Sequence, residues 1–341
     1  MTNLPILPTT VVGSHAKPGW WHKCKDAFSK GEWGSEDLEE LLNDAVDMAI
    51  LDQMRAGLDI ITDGESRRLD GYVDSFYDAI SGIKSRPITR LAGPWGYDQQ
   101  TRYEAQDKIS VPNGLGIVDE FRYLAKNTSK PTKVTCAGPL TFGSRVHPSD
   151  KYDSSLSLAS EFAQVINTEL KELVSAGATF IQIDEPARGN ISGKSMALLF
   201  NQATDGVHAK LAYHICFGNR FGHARFKRDY KEYFPGALNA RADQFVLEFA
   251  NREMAEIDLW KEWKDERELG IGLIDVKSFY PETASDVAKR IRTALKFVQV
   301  EKAYINPDCG FGWSPRYIAM AKLKAMVDGT KLVRDELNGF K

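Results

Sequence analysis

The sequence predicts an α/β protein built as a (β/α)8 TIM barrel, with an elaborated excursion after the second strand. Apolar, β-branched runs recur along the chain with helical stretches between them, the pattern of βα units that build a parallel sheet. Eight such runs favour a closed barrel over an open doubly wound sheet, which usually has fewer strands and a glycine-rich phosphate turn. The chain contains no GxGxxG or Walker motif.

Each of the eight apolar runs is expected to form one strand of the barrel. In chain order the predicted strands span residues 10–14, 58–65, 133–139, 179–186, 210–216, 244–248, 271–277 and 303–309. Helices are predicted between them, with the clearest over residues 35–56, 154–176, 283–298 and 315–337. Acidic residues at the start of the 35–56 segment and Gly177 after the 154–176 segment are typical helix start and stop signals.

Residues 81–130 fit the barrel plan least well. They contain Pro87, Pro94, Pro112 and several glycines, which predict an excursion with a small hairpin and not a separate domain. Residues 18–34 are likewise expected to be a loop. The whole chain, residues 1–341, is therefore expected to be one (β/α)8 domain.

Composition disfavours several classes of protein. The 341 residues are 43% hydrophobic and 27% charged, which is ample for a large core, and the formal net charge is −3. This balance provides no basic field for nucleic acid or an anionic membrane, and no run of 18 apolar residues predicts a transmembrane helix. Four cysteines are too few for a disulfide framework in a chain of this length. We expect a cytoplasmic protein with reduced thiols and no nucleic-acid or membrane partner.

Ionisable, thiol and hydroxyl side chains lie at or just past the carboxyl ends of the predicted strands. They are Ser14, Asp63, Glu65, Asp184, Glu185, His214, Cys216, Glu248, Asp275, Lys277, Asp308 and Cys309. In a barrel these strand ends share one face, where active sites are built. General loop polarity would explain one or two such residues, but not a series that recurs on nearly every strand. The sequence therefore predicts a functional site at this face.

Three of these side chains predict a metal site. His214 and Cys216 are two residues apart on a strand, so they face the same way and aim a nitrogen and a sulfur at one point. Cys309 adds a second thiol at another strand end, followed by glycines. Taken singly, an HxC pair is weak evidence and a lone thiol is more often packed in a core. Together on one rim, thiolate and imidazole ligands favour zinc over magnesium or calcium.

Two acidic residues at strand ends have a structural alternative. Glu248 lies between apolar residues, where an acid is costly to bury unless it is paired or metal-bound. A functional role is expected for it, with a salt bridge to Arg252 or Arg241 as the alternative. Asp184 either belongs to the site or caps the following helix, as aspartate at a strand end often does.

Seven short motifs follow one another along nearly the whole chain. They are Val12-Gly-Ser14, Asp63-Gly-Glu65, Gly138-Pro-Leu-Thr141, Ile183-Asp-Glu-Pro-Ala187, His214-Ile-Cys216, Glu248 and Asn306-Pro-Asp-Cys-Gly310. In this order and spacing the chain resembles the cobalamin-independent methionine synthase family, specifically its catalytic C-terminal barrel. The resemblance implies a methyltransferase that converts homocysteine to methionine.

The resemblance also implies a ligand set and a substrate site. Zinc would be bound by His214, Cys216, Glu248 and Cys309. Homocysteine would be bound by Glu65 and Asp184 through its ammonium group and near Ser14 through its carboxylate. A free thiol has a pKa of about 8.5, whereas a coordinating thiol is deprotonated, so zinc would supply the thiolate nucleophile. A catalytic zinc needs an open position, and Glu248 is the candidate to yield to the incoming thiol.

Three departures from the family concern the alkyl donor. Full-length members carry an additional N-terminal barrel, for which this chain is too short. The family's folate-stacking tryptophan is missing from residues 143–146, and Lys277 stands where the family has a histidine that protonates the departing folate. We therefore expect a methyl donor other than polyglutamyl folate. Lys277 is a candidate catalytic residue, as an electrostatic partner or a proton donor, with a salt bridge to Asp275 as the structural alternative.

Other functions remain open from the sequence. An epoxyalkane:coenzyme M-type transferase would keep the zinc and open an epoxide with a different thiol. A uroporphyrinogen decarboxylase-like lyase needs no metal, and a non-catalytic zinc-stabilised barrel is the remaining possibility. The expected partners are a small-molecule thiol, with homocysteine first, and an alkyl donor, with a corrinoid or corrinoid protein as a further candidate.

Overall fold

The computed structural model describes residues 4–86, 91–93, 96–98, 101–186, 191–219, 222–224 and 227–339. Its strands are β1 (Ser81–Arg86), β2 (Leu91–Gly93), β3 (Gly96–Asp98), β4 (Arg102–Ser110), β5 (Val134–Ala137), β6 (Val146–His147), β7 (Phe180–Asp184), β8 (Lys210–Ile215), β9 (Gln244–Glu248), β10 (Glu268–Ile274) and β11 (Ala303–Pro307). Its α-helices are α1 (Gly19–Ser29), α2 (Ser35–Ala56), α3 (Ile117–Lys126), α4 (Pro139–Gly143), α5 (Ser155–Ser175), α6 (Gly193–Ala203), α7 (Leu259–Trp263), α8 (Ala284–Ala294) and α9 (Arg316–Leu337).

A parallel sheet closes on itself to form the predicted barrel. Six strands lie in the order β11-β10-β9-β8-β7-β5 and are hydrogen-bonded in parallel. Two further segments close the ring: Thr9 bridges to Ile305 of β11, and Ile61 bridges to Thr132, just before β5. The amide of Ile60 donates to the carbonyl of Thr9, which joins these two segments to each other. The (β/α)8 fold class is thus confirmed.

The first two predicted strands are reduced to these single bridges. Side chains satisfy the backbone groups that a longer ladder would have used. The amide of Gln53 donates to the carbonyl of Thr62 at 2.7 Å and accepts from its N–H at 2.9 Å, while Asp59 accepts from the N–H and hydroxyl of Thr9 at 2.8 Å each. The regular pairing therefore ends after one or two residues, although both segments keep their places in the barrel.

The helices that the sequence predicted are present with nearly the same bounds. Helix α2 spans residues 35–56 and ends at Gly57, whose φ of +91° is the left-handed conformation that glycine adopts readily. The hydroxyls of Ser154 and Thr283 cap α5 and α8, since each accepts a hydrogen bond from the backbone N–H three residues later. Helix α8 is shorter than the predicted segment and ends at Ala294.

The prediction of a loop over residues 18–34 was wrong in part. Helix α1 begins after Pro18, and Trp21 packs against Leu41 and Ala45 of α2 in a small separate cluster. Trp21, Cys24 and Phe28 keep the i, i+3, i+7 spacing of one helix face. The proline and glycines that surround them, Pro18, Gly19, Gly31 and Gly34, are what suggested a loop.

The excursion after the second barrel segment contains the predicted hairpin and, in addition, a small sheet. Strand β4 pairs antiparallel with β1 and parallel with β6, and β2 pairs antiparallel with β3. Strand β6 follows β5 in the chain, so the excursion is attached to the barrel through a second loop at the same rim.

That residues 1–341 make one domain, and that the protein is cytoplasmic, stay predictions. Within the described part of the chain, no helix is long and apolar enough to cross a membrane.

Candidate metal centre

Three of the predicted ligands converge at the rim of the barrel. His214 and Cys216 project from the end of β8, and Cys309 lies two residues after β11. A ring nitrogen of His214 and the sulfurs of Cys216 and Cys309 all lie within 4.8 Å of one another, and the two sulfurs are 3.8 Å apart. The structure therefore brings together one nitrogen and two sulfur donors that could hold a metal ion.

The imidazole of His214 is held by a carboxylate. Its Nδ1 lies 2.7 Å from Oδ1 of Asp184, the residue opposite it on β7, and Gln182 donates to the same oxygen at 2.7 Å. Burial lowers the pKa of His214, but the hydrogen bond and charge of Asp184 outweigh it and raise the pKa overall. Nε2 is buried and has no hydrogen-bond partner among the described residues. A histidine fixed in this way is typical of metal ligands, in which the second ring nitrogen is free to bind.

Glu248 is fully buried at the end of β9 and is bonded through one oxygen only. Its Oε2 accepts from the amide of Phe217 at 3.1 Å and from Nζ of Lys277 at 3.0 Å. Its Oε1 is buried and without a hydrogen-bond partner in the described part of the chain. Glu248 is not part of the 4.8 Å donor group.

The salt bridges that the sequence offered as an alternative for Glu248 are not formed. Arg252 pairs with Glu256, and Arg241 pairs with Asp205. The partner of Glu248 is instead Lys277, at the end of the next barrel strand. The structural alternative for Lys277 is also absent, since its ammonium contacts Glu248 and only its backbone N–H donates to Asp275, at 2.8 Å.

The two thiols differ in acidity. The hydrogen bond from Cys216 lowers the pKa of Cys309 to about 7, against the effect of burial and with help from the nearby charges of His214 and Lys277. The same hydrogen bond and burial raise the pKa of Cys216 well above its usual range. Cys309 is therefore the thiol that loses its proton first, and the thiolate is the form that binds metals.

Asp308 joins the loop of Cys309 to the loop of Glu248. Its Oδ1 accepts from the amides of Phe249 and Ala250, both at 2.9 Å, and its Oδ2 accepts from the amide of Asn251 at 2.7 Å. Burial and the neighbouring Glu248 raise the pKa of Asp308 to about 8. Three backbone donors on one carboxylate fix the two loops relative to each other.

Tyr230 was not found by reasoning from the sequence. Its hydroxyl accepts from the amide of Glu248 at 2.7 Å and donates to the carbonyl of Ile215 at 3.0 Å, so it ties together the ends of β8 and β9. It comes from a long loop after β8 with no motif of its own. No local sequence signal marks it.

The predicted substrate residues Ser14 and Glu65 lie together beside the thiols. The hydroxyl of Ser14 donates to Oε2 of Glu65, and Ser14 packs against Gly310, the neighbour of Cys309. Oε1 of Glu65 accepts from the hydroxyl of Thr135 at 2.8 Å and pairs with Arg68 at 3.0 Å. Both oxygens of Glu65 are therefore already engaged.

The sequence motifs did not identify Arg68 as part of the site, although its position three residues after Glu65 could have indicated an ion pair with that acid. It also pairs with Glu120 at 2.9 Å and donates to the carbonyl of Thr135 at 2.8 Å. His15, next to Ser14, faces away toward Asp52 of α2 at 3.0 Å. Ala187 of the Ile183–Ala187 motif lies outside the described residues.

The chain matches one enzyme family over almost its full length. The family model described as "Cobalamin-independent synthase, Catalytic domain" matches residues 7–332. The methionine synthase of Saccharolobus solfataricus is 38% identical over 345 residues, which cover 99% of this chain and 98% of that protein. The methionine synthase of Sulfurisphaera tokodaii is 36% identical over 343 residues, or 99% of this chain and 95% of that protein.

The chain belongs to the cobalamin-independent synthase family. Among solved structures, a B12-independent methionine synthase from Shewanella sp. W3-18-1 in complex with selenomethionine matches with a TM-score of 0.84 and 30% identity, over 98% of this chain and 99% of that one. A methyltransferase from Methanosarcina mazei has a TM-score of 0.58 and 15% identity, over 98% and 95%, and shares the fold.

Membership of this family confirms the resemblance and the enzyme class predicted from the sequence. The protein is a methyltransferase of the methionine synthase type, the class that methylates homocysteine. The family match gives no support to the lyase alternative.

Proposed function

We propose that this member of the cobalamin-independent synthase family methylates the thiol of homocysteine at a zinc ion held by His214, Cys216, Cys309 and Glu248. The observation that carries the proposal is the convergence of two thiols with a buried imidazole nitrogen that has no hydrogen-bond partner within the described residues. When bound, zinc keeps a coordinated substrate thiol deprotonated at neutral pH.

The donor atoms fit zinc. Leaving a buried nitrogen and a buried carboxylate oxygen without partners costs free energy, about 1–3 kcal/mol for each group. Nε2 of His214 and Oε1 of Glu248 are both in this condition among the described residues. A set of two thiolates, one imidazole and one carboxylate is of the kind that zinc binds.

Asp184 has two tasks in this proposal. Through Oδ1 it holds His214 in the tautomer that leaves Nε2 without a proton. Its Oδ2 has no hydrogen bond to any described residue, and Asp184 keeps 6% of its surface exposed, so this oxygen is available to a substrate ammonium group. Glu65 is proposed to complete the ammonium site, because an ionised carboxylate has about four lone-pair sites and can accept beyond its present partners. Ser14 is proposed to bind the substrate carboxylate.

The acidic side chains of Glu65 and Asp184 favour an amino-acid thiol over a sulfonate thiol as the substrate. A sulfonate would require cations that are free to bind it, whereas the proposed substrate residues Glu65 and Asp184 are acids and the neighbouring Arg68 is already paired with two carboxylates. The epoxyalkane:coenzyme M-type reaction is therefore the second candidate. The donor is proposed to be other than polyglutamyl folate, and a corrinoid or corrinoid protein is a suitable class.

The experiment measures metal content and product together. We expect about one zinc per chain, lost in C216S and C309S. Homocysteine, coenzyme M and glutathione are each combined with methylcobalamin, methyltetrahydrofolate and an epoxide, and products are identified by mass. A well-folded wild-type protein that binds no zinc would contradict the metal assignment. A thioether made only from another thiol would contradict the assignment of homocysteine.

A further inference from the structure

Lys277 makes a contact that a simple proton donor would not need. Its Nζ lies 3.0 Å from Oε2 of Glu248, and the side chains of Lys277 and Glu248 are 2% and 0% exposed. The amide of Phe217 binds the same oxygen at 3.1 Å. Two donors therefore hold Oε2, while Oε1 stays without a partner in the described part of the chain.

The other acids near Lys277 are bound elsewhere. Asp308 accepts from three backbone amides, and Asp275 accepts from the side chain of Asn251 at 3.1 Å. Among the described residues, Glu248 is thus the one carboxylate in contact with the ammonium of Lys277. Asp308 and the two thiols are near enough to act on the ammonium through their charges, but its hydrogen bond goes to Glu248.

The ion pair of Lys277 with Glu248 affects the charge balance of the proposed site. Two thiolates and Glu248 carry three negative charges, one more than a zinc ion can balance. Lys277 supplies the missing positive charge in a place where an uncompensated charge is costly. A substrate thiolate brings a further negative charge, which a site without Lys277 would accept less readily.

We propose that Lys277 is a positioning residue that acts through Glu248. It holds Oε2, so that Oε1 is the oxygen offered to the metal, and it compensates the carboxylate when the substrate thiolate binds. This inference rests on the proposed function. It assigns Lys277 a role in thiol affinity and not in protonation of a leaving group.

The test compares K277M in two backgrounds. Wild type, K277M, E248Q and K277M/E248Q are loaded with cobalt(II), whose absorption spectrum reports thiol coordination, and titrated with homocysteine. Zinc affinity is measured separately by competition with a chelator. We expect K277M to keep one metal per chain and to bind homocysteine about tenfold more weakly than wild type. In the E248Q background the same substitution is expected to change homocysteine affinity less than about twofold, because the residue it acts through is already altered.

K277R is the conservative variant, and it should recover most of the homocysteine affinity because it retains the charge and a donor for Oε2. Should K277M fail to fold, K277Q replaces it in the same comparison. An equal loss in both backgrounds, or no loss in either, would overturn the role of Lys277. If wild type itself binds no metal or shows no spectral response to homocysteine, the proposed function fails instead, so the two failures are distinguishable.

Discussion

Arg68 balances two buried carboxylates that come from different parts of the chain. It pairs with Glu65 in the proposed substrate site and with Glu120 on α3, and its side chain is 2% exposed. Removing one partner of such a buried ion pair typically lowers the free energy of unfolding by about 3–5 kcal/mol. The residue therefore connects the stability of the excursion to the position of Glu65.

Glu120 is the residue in this group whose effect on stability should vary with pH. Burial raises its pKa from the ordinary 4.5 to about 7, although Arg68 opposes the shift. The folded protein thus holds this proton more tightly than the unfolded chain does. Wild type should lose stability relative to E120Q as the pH rises from about 4.5 to 7, with little further change above. Denaturant unfolding at several pH values measures the difference.

The matched control for this prediction is D119N, on the same helix. Asp119 is 78% exposed and pairs only with exposed Arg122 among the described residues, so its substitution should leave the pH profile of stability unchanged. A difference between wild type and E120Q that stays constant from pH 4.5 to 7.5 would show that Glu120 keeps an ordinary pKa.

At the scale of elements, strand periodicity predicted much of the site. Two residues on one strand necessarily face the same way, so the pairing of His214 with Cys216 followed from their spacing. Barrel geometry also placed Cys309 and Glu248 on the same rim. The pairing of Lys277 with Glu248 did not follow, because it joins neighbouring strands through a long side chain whose rotamer the sequence does not reveal.

The mispredicted elements are the first two barrel segments and helix α1. The first two barrel segments have strand-like sequences, yet Gln53 and Asp59 bind their backbone groups and shorten the pairing. Helix α1 has helical apolar spacing at Trp21, Cys24 and Phe28, but the proline and glycines at its ends predicted a loop. In both cases long-range contacts, invisible in a local window, decided the outcome.

Strand β10 requires glycine at position 272. A Cβ there would lie 2.5 Å from Oδ1 of Asp308 and 2.8 Å from the carbonyl of Leu247. G272A should therefore displace Asp308 from the loop it fixes and destabilise the protein by about 1–3 kcal/mol. Urea denaturation measures this free energy of unfolding.

The variant G143A, at the end of α4, is the matched control for G272A. A Cβ at Gly143 would lie 3.8 Å from Ala159, which is ordinary contact, so G143A should unfold close to the wild-type urea concentration. If G272A were as stable as G143A, the close approach of Asp308 would not constrain this strand.

At the scale of the whole molecule, the proposed metal would join parts of the barrel that the sheet does not join directly. His214 and Cys216 belong to β8, while Cys309 follows β11, and these strands are separated by β9 and β10. An ion bound only by the native arrangement stabilises it in proportion to the logarithm of its free concentration, by about 2.7 kcal/mol at a hundredfold excess over Kd. Zinc is therefore expected to raise Tm, and a chelator to lower it.

Two cysteine variants separate this effect from a general effect of thiol loss. Cys136 is buried within β5 and is not part of the donor group, whereas Cys309 is. C136S should keep the rise in Tm on adding zinc, even if its Tm is lower throughout, because the donor group is intact. C309S should lose that rise, because the bond between the two sides of the rim can no longer form. Calorimetry of chelated and zinc-loaded samples decides the matter: a zinc-dependent rise that survives in C309S would place the stabilising ion somewhere other than this rim.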